Sequence, residues 1–409
     1  MVSFQQLKDA DPDGFATAAD DWMKIAKEAD TAAEDIYDRG GKALRENWAD
    51  GVADLVEGHV RKLGQDYQAA GMTIRGVVTT LDGFADSLRL AKRNLEDAVH
   101  FATSRGLAVD ANGKVTVPQG ATDPRTADDA KRAGWLIWDA VNDATKIDEQ
   151  AAASLRKLIQ PAHITRNLSQ QELADQTTNG AVKAAGHTSL NMLKQTMPFN
   201  ADKQTQTAWW NSLTPAQRDE YMRAAPLELY DMPGIPEQTK KELAGDGPLN
   251  RMEMLRWAQE NGSSTNTDVK GMNNCTNFVS HAMHDGGGLD ETGSWNEKRT
   301  GWDPTGKVDA HLGSREWQLA KAHHQYVLDN GGQSVPTAQA RPGDIVYLKD
   351  QTGDIHHTAL VTAVTPGGDV MVTQHNPNHT DVNVVDRVEA GRIYSGNDDQ
   401  ILVVRPGFR

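Results

Sequence analysis

The first hundred residues carry apolar side chains at a spacing of seven, a pattern that predicts long helices. One register comprises Tyr67, Ile74, Leu81, Leu88, Leu95 and Ala102. An earlier register begins with Phe15 and Trp22, and Ile25 lies in its second seam. Apolar positions that repeat every seven residues are typical of helices that pack along their length. The sequence therefore predicts a helical hairpin or bundle over residues 1–105, with these positions in its core.

Residues 106–247 predict a mostly helical connecting region. Asn112-Gly113 has the composition of a hairpin turn between two short apolar runs. A helix is expected over 126–159, and the polar, weakly patterned residues 176–205 are expected to be a connection. The segment Thr-Pro-Ala-Gln at 214–217 places N-cap, N1 and N3 residues in order, which predicts a helix start.

Residues 248–409 change from helical to strand-like patterning. Two helices are expected, over 249–259 and 275–285, and short apolar strands follow them. The strands are expected at 344–348, 358–364, 370–374 and 401–404. Glycine-containing turns between the strands favour antiparallel hairpins. Helices followed by antiparallel strands predict an α+β domain.

Composition excludes several classes of function. The net charge is −15, with no cluster of Lys and Arg to contact phosphates, so a nucleic-acid partner is not expected. No apolar run reaches the roughly 18 residues that a membrane span needs. The first residues have neither a basic nor an apolar segment, so an ordinary secretory signal is not expected.

Cys275 is the single cysteine of the chain and follows two asparagines, Asn273 and Asn274. Asparagine is a favoured N-cap residue, and an apolar-spaced run follows, so the thiol is expected in the first turn of a helix. Unpaired N–H groups and the macrodipole favour a thiolate there. A lone cysteine can also be a small buried hydrophobic residue. Beside a histidine, however, a thiolate is a nucleophile for acyl chemistry.

Two histidines follow Cys275 in strand-like segments, in the order that a Cys–His enzyme needs. His357 begins one expected strand, and His375-Asn376 ends the next. If the two strands form a hairpin, the length of the loop and any bulge decide which of these side chains shares a face with His357. An even loop favours Asn376, and an odd loop or one bulge favours His375.

Four ordered motifs resemble the putative amidase domain family, which is similar to the NlpC/P60 branch of papain-like folds. They are Asn274-Cys-Thr-Asn-Phe-Val-Ser280, Gly343-Asp-Ile-Val-Tyr347, His357-Thr-Ala-Leu-Val-Thr362 and Gln374-His-Asn376. The resemblance implies that Cys275 is the nucleophile, His357 the general base and then acid, and His375 the residue that orients it. No cofactor or metal is implied. Asn274 and His356 replace two aspartates of the family pattern.

The N-terminal helices resemble the WXG100-like modules of actinobacterial type VII secretion substrates. Trp48-Ala49-Asp50-Gly51 is one residue longer than the Trp-x-Gly pattern, and no Tyr-x-x-x-Asp/Glu follows the second helix. This resemblance implies non-classical export, with a cytoplasmic stage before it, and a helical secretion partner. A toxin of this kind also implies an immunity protein as partner.

The sequence thus predicts a thiol-dependent amide hydrolase that acts on peptidoglycan peptides as a secreted or toxin-like effector. One alternative is a toxin that deamidates proteins or cleaves isopeptide bonds, and a second is a helical interaction or secretion scaffold with an inactive C-terminal domain. Metal binding is a third reading, because His281 and His284 are three residues apart on one helix. Neither a His-Glu-x-x-His nor a Cys-x-x-Cys pattern supports it.

Overall fold

A computed structural model of the chain describes residues 1–41, 43, 46, 51–119, 125–159, 182–264, 266, 274–291, 307–308, 311–312, 314–376, 379–385, 388 and 399–408. The chain divides into two compact units, Met1–Met197 and Pro198–Arg409. The expected boundaries after 105 and 247 fall inside these units, because the helices that follow each boundary pack on those before it. Trp48, Ala49 and Asp50 of the WXG100-like motif lie outside the described residues.

The described residues of the N-terminal unit are helical apart from one hairpin and short connections. Its helices are α1 (Phe4–Lys8), α2 (Pro12–Asp35), α3 (Gly51–Ser104), α4 (Arg125–Ile159) and α5 (Val182–Gln195). Strands β1 (Ala108–Val109) and β2 (Val115–Thr116) form the predicted hairpin, with Gly113 at a φ of +80° in its turn. The expectation of a connection over 176–205 is wrong where α5 lies, because Leu190 and Met192 are buried and α5 packs on α3.

The residues of α2 that are buried in the structure are not those that the expected register places in the core. Ala19, Ala26 and Ala33 are fully buried, whereas Phe15, Trp22 and Ile25 of the expected register are 39%, 41% and 45% exposed. Glycines on α3 leave room for this contact. A Cβ on Gly71 would lie 2.8 Å from the Asp30 carboxylate and 3.6 Å from the Ala26 carbonyl oxygen, and one on Gly64 would lie 2.7 Å from the ring of Tyr37, just after α2. In α3 itself the expected register is confirmed from Leu88 onward.

The C-terminal unit begins with helices that cover one side of a sheet. They are α6 (Lys203–Ser212), α7 (Pro215–Ala224), α8 (Pro226–Asp231), α9 (Glu237–Ala244), α10 (Arg251–Asn261), α11 (Cys275–His281), α12 (Arg315–Gln318) and α13 (Ala320–Asp329). The predicted capping box at the start of α7 is present, since the side chains of Thr214 and Gln217 each bond to the other's backbone. Helix α11 continues as π-helix over Ala282–Gly286.

Six of the eight described strands of this unit form one antiparallel sheet. The strands are β3 (Lys307–Val308), β4 (His311–Leu312), β5 (Gln333–Val335), β6 (Ile345–Lys349), β7 (Ile355–Val364), β8 (Val370–Gln374), β9 (His379–Asn383) and β10 (Gln400–Arg405). The sheet order is β5-β10-β6-β7-β8-β9, and β3 pairs with β4 separately. Long helices followed by an antiparallel sheet confirm the predicted α+β class.

One face of the sheet carries an apolar cluster, and the other face contacts helices. Val346, Ala359, Val361 and Val372 belong to one apolar cluster on the first face. On the second face, Thr358 contacts α11 and Tyr347 contacts α13. Among the described residues, no helix is both long enough and apolar enough to cross a membrane.

One buried carboxylate joins the start of β6 to the end of β10. Asp344 is fully buried and accepts hydrogen bonds from Arg405 Nε at 3.0 Å and Nη2 at 2.9 Å. It also accepts the Arg341 backbone N–H at 2.8 Å. Burial raises the pKa of Asp344, while the bonds from Arg405 oppose that rise. The Gly-Asp motif noted in the sequence therefore anchors two neighbouring strands.

Candidate active site

Helix α11 begins at the cysteine, as the asparagine pair before it predicts. Cys275 is the first helical residue and Asn274 is its N-cap, with φ −93° and ψ 9°. The Asn274 side chain makes no capping bond. Cys275 is buried, with 3% of its surface exposed. Its thiol therefore lies in the first turn of a helix, where backbone N–H groups have no partner within the helix.

The first turn of α11 rests on the strand that carries His357. Thr276 and Thr358 are both fully buried, and their hydroxyl oxygens are 3.0 Å apart. The contact brings the residue after the thiol against the residue after the imidazole. His357 is 6% exposed and lies near the start of β7. Helix α11 thus packs on the Thr358 face of β7, and alternation along the strand puts His357 on the other face, with Ala359. The described contact of Cys275 Sγ is to Thr276 Oγ1, at 3.8 Å.

The His357 ring is held by Gln374, to which the sequence argument assigned no role. His357 Nε2 lies 3.0 Å from Gln374 Oε1, and Gln374 is 1% exposed. An amide oxygen only accepts hydrogen bonds, so at this contact Nε2 carries the proton. In the neutral ring, Nδ1 is then left with the lone pair that a base needs. Gln374 thus fixes both the orientation and the tautomer of the imidazole.

The register of β7 against β8 explains why Gln374 occupies this position. Leu360 lies opposite Thr373, and the pairing shifts by one residue between Val361 and Ala363. Because opposite residues of an antiparallel pair share a face, continuing this register puts Gln374 on the face of His357. It puts His375 on the other face, with Thr358. The irregularity near Thr362 decides the outcome, and composition alone did not reveal it.

His375 and Asn376, the two residues proposed to orient His357, both contact the helical side. The His375 ring stacks on Phe278 of α11, with centroids 4.2 Å apart, and its Nε2 lies 3.3 Å from the Asn261 carbonyl oxygen. Asn376 Oδ1 accepts the backbone N–H of Asn274 at 3.2 Å. In these contacts the two side chains hold the nucleophile helix, and the contact to the His357 ring comes from Gln374.

A second set of amide contacts holds the helix start from the other side. Trp317 of α12 is 1% exposed, and its Nε1 donates to Asn277 Oδ1 at 2.8 Å. Asn277 Nδ2 in turn donates to Asn274 Oδ1 at 3.4 Å. Ser280 donates to the Trp317 carbonyl at 2.9 Å. The residue before the thiol is therefore bound through both its backbone and its side chain.

Three other histidines of this region contact carboxylates. His356 Nε2 lies 3.0 Å from Asp399, while His281 and His284 contact Asp285 through Nδ1 at 2.8 Å and 2.6 Å. Within the described ranges, no three His, Cys, Asp or Glu side chains are grouped so that they could hold a metal ion.

Comparison with known proteins agrees with the motifs of this region. Residues 248–395 match the family model described as a putative amidase domain. The match includes Cys275, His357 and Gln374, and it ends before β10. No curated protein and no solved structure matches the chain. The family match assigns amide-hydrolase chemistry to the C-terminal region.

Proposed function

We propose, from the match of residues 248–395 to the putative amidase domain family, that this chain is a cysteine-dependent amide hydrolase. Cys275 is the nucleophile, His357 the general base and acid, and Gln374 the residue that orients His357. The observation that carries the proposal is the 3.0 Å contact between His357 Nε2 and Gln374 Oε1, beside the helix that begins with the single cysteine. A thiol, an imidazole and a polar orienting group are what acyl transfer through a thioester requires.

The proposed reaction follows from these roles. His357 Nδ1 takes the thiol proton, and the thiolate adds to the amide carbonyl carbon. The backbone N–H of Cys275, at the helix start, stabilises the oxyanion. The imidazolium then protonates the departing amine, which leaves a thioester on Cys275. Water, deprotonated by Nδ1, adds to the thioester and releases a carboxylate together with the thiol. Throughout, Nε2–H donates to Gln374.

The substrate class that we propose is the peptide part of peptidoglycan. The NlpC/P60-like resemblance supports this class, and the site contains no carboxylate at position 274 that would oppose an acidic peptide. We further propose that the protein is a secreted or toxin-like effector, exported by a type VII route after a cytoplasmic stage. The long helices of the N-terminal unit support this route and would bind a helical secretion partner. An immunity protein is the further partner that a toxin implies.

Purified sacculi test the proposal. Wild-type protein is expected to release muropeptides with new amino and carboxyl ends, and Cys275→Ala is expected to release none while keeping its circular dichroism spectrum. Cys275→Ser is the matched control, because it keeps the shape of the side chain and weakens only the nucleophile. Equal release by Cys275→Ala and the wild type would refute thiol dependence.

The alternative is that the same chemistry acts on a protein and not on peptidoglycan. The compartment in which the enzyme is toxic distinguishes these two substrates. A deamidase or isopeptidase toxin is expected to inhibit growth when it is expressed in the cytoplasm. An enzyme that cleaves the wall is expected to inhibit growth only when it is directed to the periplasm. Cys275→Ala removes the inhibition in both cases.

The burial of the Cys275 thiol favours an alternative in which the protein is an interaction or secretion scaffold and not an enzyme. Only 3% of Cys275 is exposed, as expected of a structural cysteine in a scaffold protein. In that alternative the N-terminal helices bind the partner and the C-terminal unit is inactive. A thiol that reacts slowly with iodoacetamide near neutral pH would support the scaffold.

A further inference from the structure

The segment Gln374–Asn376 contacts both halves of the proposed active site. Gln374 holds the His357 ring, His375 stacks on Phe278 in α11, and Asn376 accepts the N–H of Asn274. Three consecutive residues at the end of β8 therefore contact the base, the body of the nucleophile helix and the start of that helix.

The conformation of Asn376 makes the third contact possible. Its φ is +54°, in the left-handed region that non-glycine residues seldom adopt and that asparagine tolerates better than most. Gln374 and His375 alternate across the sheet, as strand residues do. The left-handed turn at 376 ends that alternation and brings the side chain of Asn376 to the backbone of Asn274.

The start of α11 is held by the distant side chain of Asn376, because the side chain of its own N-cap residue, Asn274, makes no capping bond. The Asn274 side chain makes no capping bond and is instead bound to Asn277, which Trp317 holds in turn. The backbone N–H of Asn274 goes to Asn376, 102 positions further along the chain. A change at 376 is therefore transmitted to the residue directly before the thiol.

We propose that Asn376 is a positioning residue, which fixes the start of α11, and with it Cys275, relative to the strand whose Gln374 holds His357. The inference rests on the proposed function, because it concerns the spacing between the proposed nucleophile and base. Catalytic groups lose rate steeply with displacement, and a shift of about 1 Å can cost about 100-fold. Asn376 touches no reacting atom, so its effect is on geometry.

The test uses Asn376→Gly in the full chain. Glycine keeps the left-handed backbone and removes only the amide that binds Asn274. The matched control is Asn330→Gly, which removes an exposed asparagine side chain from its bond to the Tyr326 carbonyl, at the end of α13. Both variants are expected to keep the wild-type circular dichroism spectrum.

Two readouts are expected to change in Asn376→Gly and not in Asn330→Gly. On sacculi, kcat falls by roughly 10- to 100-fold while KM stays within about twofold. The rate of Cys275 alkylation by iodoacetamide at pH 7 falls by about tenfold or more, because the displaced thiol is further from the imidazole that takes its proton. Asn376→Asp keeps an acceptor oxygen for the Asn274 N–H, so it is expected to recover most of the alkylation rate.

Failure of this inference is distinguishable from failure of the proposed function. If Cys275→Ala is as active as the wild type, the hydrolase proposal fails. If Cys275→Ala is inactive but Asn376→Gly keeps the wild-type kcat and the wild-type alkylation rate, only the positioning role fails. The alkylation arm needs no substrate, so it decides the question whatever bond the enzyme cleaves.

Discussion

Removal of the Gln374 side chain tests the orientation of the proposed base. In Gln374→Ala the Nε2–H of His357 loses its acceptor at a position where the ring is only 6% exposed. A buried donor left without its partner costs about 1–3 kcal/mol. If that cost is expressed in the transition state, the rate falls by about 5- to 160-fold, since about 1.36 kcal/mol corresponds to a factor of ten.

Gln374→Glu keeps an acceptor at the same position and adds a negative charge to it. A carboxylate next to Nε2 favours the imidazolium, so the pKa of His357 rises. Activity that depends on the imidazolium is then retained to higher pH, and the alkaline limb of the kcat/KM profile moves upward. Gln374→Ala has no such charge, so it lowers the rate without moving that limb upward.

The assay compares kcat/KM on sacculi between pH 5 and 10 for wild type, Gln374→Ala and Gln374→Glu. The control is Gln206→Ala, because Gln206 is 2% exposed and accepts the Gly234 N–H at 2.9 Å far from His357 in sequence. This control is expected to lower the melting temperature and leave kcat/KM of the folded protein unchanged. Wild-type kcat/KM in Gln374→Ala, or an unmoved alkaline limb in Gln374→Glu, would refute the assigned orientation.

Three further predictions concern the stability of the fold. Gly83→Ala should lower the free energy of unfolding of the N-terminal unit by about 1–3 kcal/mol, because its Cβ would lie 2.8 Å from the Ser189 Cα. Gly58→Ala on the same helix has open space and should raise that free energy by about 0.5–1 kcal/mol in urea unfolding. Stabilisation by both substitutions would contradict the close contact between Gly83 and Ser189. Burial lowers the pKa of His323 to about 3. Since only the unfolded state then binds the proton, stability should fall as the pH drops below about 6.5, by about 2 kcal/mol at pH 5, and His323→Gln should flatten this dependence in thermal melts. Asp344→Ala leaves Arg405 without its buried partner and should cost about 3–5 kcal/mol of the C-terminal unit, and a loss below 1 kcal/mol would show that the pair contributes little.

The sequence predicted the elements of the site better than their pairing. Helix α11 starts at Cys275 as predicted, although the Asn274 side chain makes no capping bond. The strands around His357 follow from short apolar runs bounded by glycine turns. The residue that orients His357 depends on a register shift near Thr362, which has no signature in composition. A single shifted residue exchanges the faces of Gln374 and His375.

The packing of the N-terminal helices was also only partly predictable from the sequence, for a different reason. Helix α3 buries the predicted positions from Leu88 onward, but α2 buries Ala19, Ala26 and Ala33 in place of its larger apolar residues. Heptad spacing alone fits either set, since both repeat every seven residues. Gly64 and Gly71 of α3 leave the space that the Tyr37 ring and the Asp30 carboxylate occupy at this contact, and the spacing does not reveal that.

The most direct measurement is the rate of alkylation of Cys275 by iodoacetamide as a function of pH, in native wild-type protein and in His357→Ala. Because the sequence contains one cysteine, the rate reports this thiol alone. Near pH 7 we expect rapid alkylation in the native wild-type protein and alkylation slower by about tenfold or more in His357→Ala, because the imidazole takes the thiol proton. Equal rates in the two proteins, or a thiol that reacts only after denaturation, would contradict the pairing of Cys275 with His357.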